Sequence, residues 1–218
     1  MMDAADLTLD ELRPYLAPAI ADAAIFDGWS EAAVESAALA KQVDPAVAKL
    51  AFPGGAMDMI CAWIETVDRA MGEALTAETL AAMKIRERIR ALVQSRLDAI
   101  AGREEALKRA LAVMAMPQNL AHSVKAGWGS ADAMWRLAGD TATDYNHYTK
   151  RAILAGIYGA TLTVFADDTS EGKAKTRAFL DRRIDGVMKF EKAKAQLLQP
   201  REGFSMTRFL GRLRYPAR

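Results

Sequence analysis

Two histidines, His122 and His147, and one cysteine, Cys61, are few for an acid–base or metal enzyme of 218 residues. A carboxylate-bridged di-iron site in a helical bundle needs a carboxylate-x-x-His pair on each of two helices, with two further carboxylates turned inward. Asp144 and His147 make one such pair, but Asn119 stands where the second pair would need an acid ahead of His122. Half of that donor set is missing, and a surface Asp and His one helical turn apart is the plainer reading. Cys61 lies in the apolar run MDMICAWI, where a thiol packs as a small hydrophobe. No G-x-S-x-G elbow, phosphate loop, dinucleotide fingerprint or Cys/His zinc spacing occurs. The expectation is a chain with no catalytic residue, no metal ligand and no cofactor.

Groups suited to binding are more plentiful. The turn Met116-Pro117-Gln118-Asn119 brings Met114, Met116, His122 and Trp128 toward the region expected to hold Trp135. Methionine and tryptophan make adaptable apolar walls, which fit either a packed core or a ligand cavity between helices. The stretch from Asp140 to Arg151 is polar and aromatic, with Asp144, Tyr145, His147 and Tyr148 crowding a helix start. Acids there favour the positive end of the helix dipole, and the aromatic groups suit a protein–protein contact as well. At the end of the chain, GFSMTRFLGRLRYPAR groups Met206, Phe209, Leu210 and Leu213 on one helical face behind Phe204, with Arg208, Arg212 and Arg214 toward its flanks. That is the pattern of a helix lying in a membrane interface, each basic residue adding roughly 1 kcal/mol against an anionic leaflet. A helix packing across a dimer partner has a similar pattern.

The elements that must position these groups read as helices throughout. The sequence is 51% hydrophobic and 26% charged, rich in alanine, leucine and methionine, and poor in β-branched runs of strand length. Thr8 and Glu11 fit a capping box, but Pro14 and Pro18 predict a short turn before a helix that reaches Phe26. Further helices are expected over 31–41, from Pro45, from Gly55 to about Leu75, over 78–101, 104–116, 119–137, 144–165 and 170–194. No run approaches the roughly 18–20 apolar residues that span a bilayer, and the N-terminus MMDAADLTLDEL is acidic, unlike a signal or transit peptide. The expected location is a bacterial cytoplasm, peripheral on the inner face of the cytoplasmic membrane.

Charge is unevenly spread: residues 1–60 hold 10 acids and 3 bases, whereas 171–218 hold 5 acids and 13 bases. The first 55 residues place one medium and two short helices before an aromatic-Pro-Gly turn, a helix-turn-helix layout. With Gly28-Trp29 ahead of the second helix, this part resembles tetracycline-repressor-like regulators. A transcriptional regulator answering an acyl or isoprenoid ligand is therefore the alternative function. Against it stands the charge, because phosphate contacts need Lys and Arg and this segment supplies only Arg13, Lys41 and Lys49. No nucleic-acid partner is expected.

From Met134 to Ala152 the chain carries MW-x-x-AGD-x-x-TD-x-N-x-YT-x-RA, followed by AILAGIY, DDTSEG and FLDRRIDGVM. These motifs resemble the ubiquinone-biosynthesis accessory family known as the ninth of the coenzyme Q assembly proteins. The resemblance implies an all-α, tetracycline-repressor-like fold that has exchanged DNA binding for lipid binding, as a homodimer with an amphipathic C-terminal helix at the membrane. It implies a non-enzymatic role: holding an isoprenoid or quinone lipid and presenting it to the di-iron demethoxyubiquinone hydroxylase. The partner contact carries over to Met134, Asp144, His147 and Tyr148. Where animal relatives have tryptophan, this chain has His147, which implies a weaker or differently paired contact.

On this reading the candidate lipid-contacting residues are Trp63, Met114, Met116, Trp135, Ile153, Leu154, Ile157 and Tyr158. The candidate membrane-docking residues are Phe204, Met206, Arg208, Phe209, Leu210, Arg212, Leu213 and Arg214. The expected organisation is a helix-turn-helix-like unit without DNA binding over 1–55, a lipid-binding bundle over 56–199 and a docking tail over 200–218.

Overall fold

Thr8 opens the first helix with a reciprocal cap, its hydroxyl accepting from the Glu11 N–H at 3.3 Å while the Glu11 carboxylate accepts from the Thr8 N–H at 2.9 Å. A computed structural model describes residues 7–141, 143 and 145–198. Helix α1 (Leu9–Asp27) runs unbroken through Pro14 and Pro18, contrary to the expected turn. Each interior proline costs roughly 3 kcal/mol. Burying Leu12, Leu16 and Ile20 completely returns about 1.5–3 kcal/mol apiece, enough to hold the helix together. Gly28 ends it at φ +68°, a conformation open to glycine.

Helix α2 (Glu31–Ala40) starts at Ser30, whose hydroxyl accepts from the Ala33 N–H. Helix α3 (Pro45–Leu50) has Asp44 as its cap and proline at its first position. This N-terminal group is sewn to the rest by tryptophan: the Trp29 indole donates to the Ala106 carbonyl at 3.0 Å, and its ring lies 5.4 Å from that of Trp63.

The remaining helices are α4 (Ala56–Ala74), α5 (Ala77–Ala81), α6 (Ile85–Ala99), α7 (Glu104–Met114), α8 (Leu120–Leu137), α9 (Tyr145–Asp167) and α10 (Ala174–Leu198). Short 3₁₀ turns at Pro117–Asn119 and Glu171–Lys173 lead into α8 and α10. The single helix expected over 78–101 is two, because Glu87 accepts from the Lys84 N–H at 3.0 Å and restarts the chain there. Arg88 supports the break, donating to the carbonyls of Met83 (2.9 Å), Ala81 (3.2 Å) and Ala138 (2.8 Å). The bonds to Ala81 and Met83 satisfy carbonyls that the interrupted helix would otherwise leave bare, and the bond to Ala138 ties the break to the end of α8.

No strand occurs among the described residues, as the composition implied. The described chain up to Ile184 packs as one compact unit around a core that includes Leu16, Ile60, Met71, Leu92, Met134 and Leu154. A second unit begins at Asp185, within α10, and its described part is the helix to Leu198. No helix among the described residues is long and apolar enough to cross a membrane.

Candidate functional site

Five helices leave a cavity of about 610 Å³ between them. Helix α4 lines it with Ile60, Trp63, Ile64 and Val67, and α7 with Leu107, Ala110, Leu111 and Met114, each set at the spacing of one helical face. Helix α9 contributes Ala155, Tyr158, Gly159 and Leu162 at the same spacing, and its small residues make the room. A side-chain carbon added at Gly159, or at Gly127 on α8, would meet nothing within 4 Å. The rim belongs to α8, where Leu120 and Val124 are 51% and 71% exposed. Volume and lining both suit an apolar ligand of moderate size.

Among the residues singled out for lipid contact, Trp63, Met114 and Tyr158 lie on this lining and the others lie elsewhere. Met116 is exposed past the end of α7. Trp135 donates its indole N–H to the Lys150 carbonyl at 3.0 Å and carries the Lys150 ammonium 5.4 Å from its ring centre. Leu154 is buried in the core, while Ile153 and Ile157 are half-buried off the cavity face. Because the wall of α9 is the 155–158–159–162 stripe, only Tyr158 of the four α9 candidates shares it.

One lining residue breaks the apolar pattern. Arg96 falls seven residues after Ile89 on the face that Leu92 and Val93 bury, and it is 1% exposed. Its Nη1 donates to Asp68, and its Nη2 donates to the Ser130 hydroxyl at 3.0 Å. The guanidinium lies 4.8 Å from the Tyr158 ring centre, and its Nε–H has no partner among the described residues. A charge this deep persists because Asp68 compensates it. Its signal in the sequence is an arginine at a core position of α6.

A second polar cluster fixes the turn between α8 and α9. Asp140 accepts from Lys150 at 2.7 Å and from Arg151 at 3.0 Å, and Asp132 accepts from Arg151 at 2.6 Å and from Arg136 at 2.7 Å. Arg151 is 2% exposed, so this pairing is structural: the signature's Asp140 and Arg151 hold two helices in register. Arg151 also donates to the His147 carbonyl at 3.2 Å, tying down the start of α9.

That network presents the patch. Tyr148 is 61% exposed, its ring 5.1 Å from the half-buried His147 and 6.1 Å from Trp128 on the cavity wall. Met134, grouped with them from the sequence, is wholly buried and packs in the core. Asp144 and the residues from Phe204 to Arg214 lie outside the described residues. Elsewhere, burial pushes the Cys61 thiol up from its usual range, with Glu65 and Asp58 adding to the effect. Among the described residues no group of three His, Cys, Asp or Glu side chains is placed to hold a metal.

The comparisons with known proteins converge on one family. The family model described as COQ9 matches residues 120–191. Ubiquinone biosynthesis protein COQ9, mitochondrial, of Rattus norvegicus is 31% identical over 168 residues, spanning 74% of this chain and 54% of the relative. Its Homo sapiens counterpart is 37% identical over 100 residues, spanning 46% of this chain and 31% of the relative. The chain thus spans about half the length, or less, of these curated relatives. Among solved structures, a TetR transcriptional regulator from Nitrosomonas europaea superposes with a TM-score of 0.65 at 21% identity, over 81% of this chain and 98% of that one. At that identity the likeness speaks for the fold alone. Sequence motif, family model and curated relatives agree in likeness to the COQ9 family, and the chain has an all-α, tetracycline-repressor-like fold.

Proposed function

We propose that this chain is a non-catalytic, lipid-binding accessory protein of ubiquinone biosynthesis, which holds a polyprenyl-quinone intermediate and presents it to the demethoxyubiquinone hydroxylase. The observation that carries the reading is the contact of Trp128 with Tyr148, which joins an apolar cavity to an exposed aromatic patch. The names of the curated relatives supply the pathway. A prenyl tail keeps its ring in the bilayer, and a carrier with apolar walls lowers the cost of withdrawing it. The basic segment over 204–214 would dock the protein on the membrane, and a homodimer would bring two such cavities together.

Regulation of transcription, the alternative that the fold invites, fits the surface chemistry poorly. Lys49 is the one basic residue of α3, and its ammonium is already engaged by Glu35 at 2.5 Å and Glu31 at 3.4 Å. A helix presented to phosphates needs free cations.

Extraction of the purified protein followed by mass spectrometry of its lipids tests the proposal. A prenylated quinone intermediate retained in near-stoichiometric amount is the expected result. Trace bulk phospholipid alone, with a sequence-specific gel shift on DNA, would favour the regulator instead.

A further inference from the structure

We infer that the inner end of the cavity is a donor site for a neutral carbonyl oxygen, so that Arg96, Ser130 and Tyr158 select a ketone- or quinone-headed amphiphile over a fatty acid or a plain hydrocarbon. This inference rests on the cavity being a lipid site, as proposed above, and adds which head group it prefers and which way round the ligand lies.

Three polar hydrogens at this end have no acceptor among the described residues. Arg96 Nε–H is buried without a partner. The Ser130 hydroxyl accepts from Arg96 Nη2 at 3.0 Å and keeps its own proton to give. The Tyr158 hydroxyl makes no hydrogen bond to a described residue, and its ring stacks on the same guanidinium. All three residues line the cavity. A carbonyl oxygen offers two lone pairs and no proton, so it can accept from the Arg96 Nε–H and from a Ser130 or Tyr158 hydroxyl.

Charge separates the classes of head group. Among the described residues Arg96 is the only charged one on the lining, and Asp68 already neutralises it. A carboxylate or phosphate brought here would be a buried charge with no counter-ion left to pair with it, which is disfavoured. A hydrocarbon would leave the donors unmet. A neutral carbonyl does neither.

Position sets the orientation. Arg96 and Ser130 are 1% and 2% exposed, whereas Leu120 and Val124 at the rim are largely in solvent. The ligand's head therefore lies inward, and its chain runs out past Leu120 and Val124. Such an arrangement shields the ring during carriage, and hand-over requires the head to leave by the rim beside Trp128 and Tyr148.

Competition binding on the full chain tests this, using decylubiquinone, decane and decanoate to displace one fluorescent lipid from the cavity. Arg96 is left intact because replacing it strands Asp68. The variants are S130A and Y158F, each checked by thermal melting for a wild-type fold. Decylubiquinone should displace the reporter at roughly tenfold lower concentration than decane, with decanoate weakest. Each variant should cut the quinone's advantage about threefold or more while leaving decane unchanged. Equal displacement by quinone and decane, stronger displacement by decanoate, or equal weakening of all ligands in the variants would each overturn the donor site while sparing the lipid cavity. Failure of all three ligands to displace the reporter would overturn both.

Discussion

The Trp128 ring, which walls the cavity, lies 6.1 Å from the ring of Tyr148, which is 61% exposed. The cavity and the exposed patch thus share one aromatic contact. On the proposed function, a partner covering Tyr148 would press on the rim of the cavity, so that docking and release would be mechanically adjacent.

Substituting Tyr148 should separate the two surfaces. Tyr148→Glu places a charge on the patch without opening the core, and it should lower affinity for the hydroxylase by tenfold or more, in the range of an aromatic contact residue. The lipid recovered from the purified variant should match wild type. Loss of lipid with partner binding intact would reverse the assignment of the two surfaces.

Filling the cavity should remove the ligand without removing the fold. Gly159→Leu projects into space that is empty within 4 Å of the added side-chain carbon. Leucine also has a helix propensity better than glycine by roughly 0.8 kcal/mol, so melting temperature should hold or rise while retained lipid falls. A variant that melts normally and still carries wild-type lipid would place the ligand elsewhere.

Arg96 should be among the costliest polar residues to lose. Arg96→Met leaves the partly exposed Asp68 without its counter-charge, which should cost less than the roughly 3–5 kcal/mol of breaking a fully buried pair. Urea denaturation should show that loss as a lower midpoint. The double change with Asp68→Leu should recover part of it, and equal stability of the single and double variants would contradict the pairing.

A pH dependence follows from Asp168, at the turn before α10. Burial by itself raises its carboxyl, but hydrogen bonds from the side chains and backbone N–H groups of Ser170 and Thr176 outweigh it and hold the group far below the usual carboxylate range. A carboxyl held lower in the folded state stabilises above its unfolded value, near 3.9, and that benefit fades as pH falls through the folded value. Asp168→Asn should therefore melt below wild type at pH 7, with the gap narrowing below about pH 4. A gap that stays constant down to pH 2 would mean the shift is not linked to folding.

Legibility in the sequence followed from locality. Thr8 with Glu11, Ser30, Asp44-Pro45 and Gly28 announce helix ends through bonds that span only a few residues, and each is found where it was read. The unbroken α1 was not legible, because the burial that outweighs Pro14 and Pro18 comes from neighbours distant in sequence. Nor was the break before Ile85, which no glycine or proline marks and which Arg88 holds through Ala138, fifty residues away. In the site, the composition of α9 foretold an apolar wall, but which stripe faces the cavity depends on how α9 is rotated against α8. That left Ile153, Leu154 and Ile157 grouped with Tyr158, although only Tyr158 reaches the lining. Arg96 went unnoticed for a related reason: its partners Asp68 and Ser130 lie 28 and 34 residues away.

The central question is whether this cavity serves the quinone pathway in the cell. Quinone profiling of a strain lacking this chain, complemented with wild type or with Gly159→Leu, measures that directly. Accumulated demethoxyubiquinone that wild type clears and the cavity-filled variant does not is the predicted result. Unchanged ubiquinone in the deletion strain, or equal rescue by both chains, would contradict it.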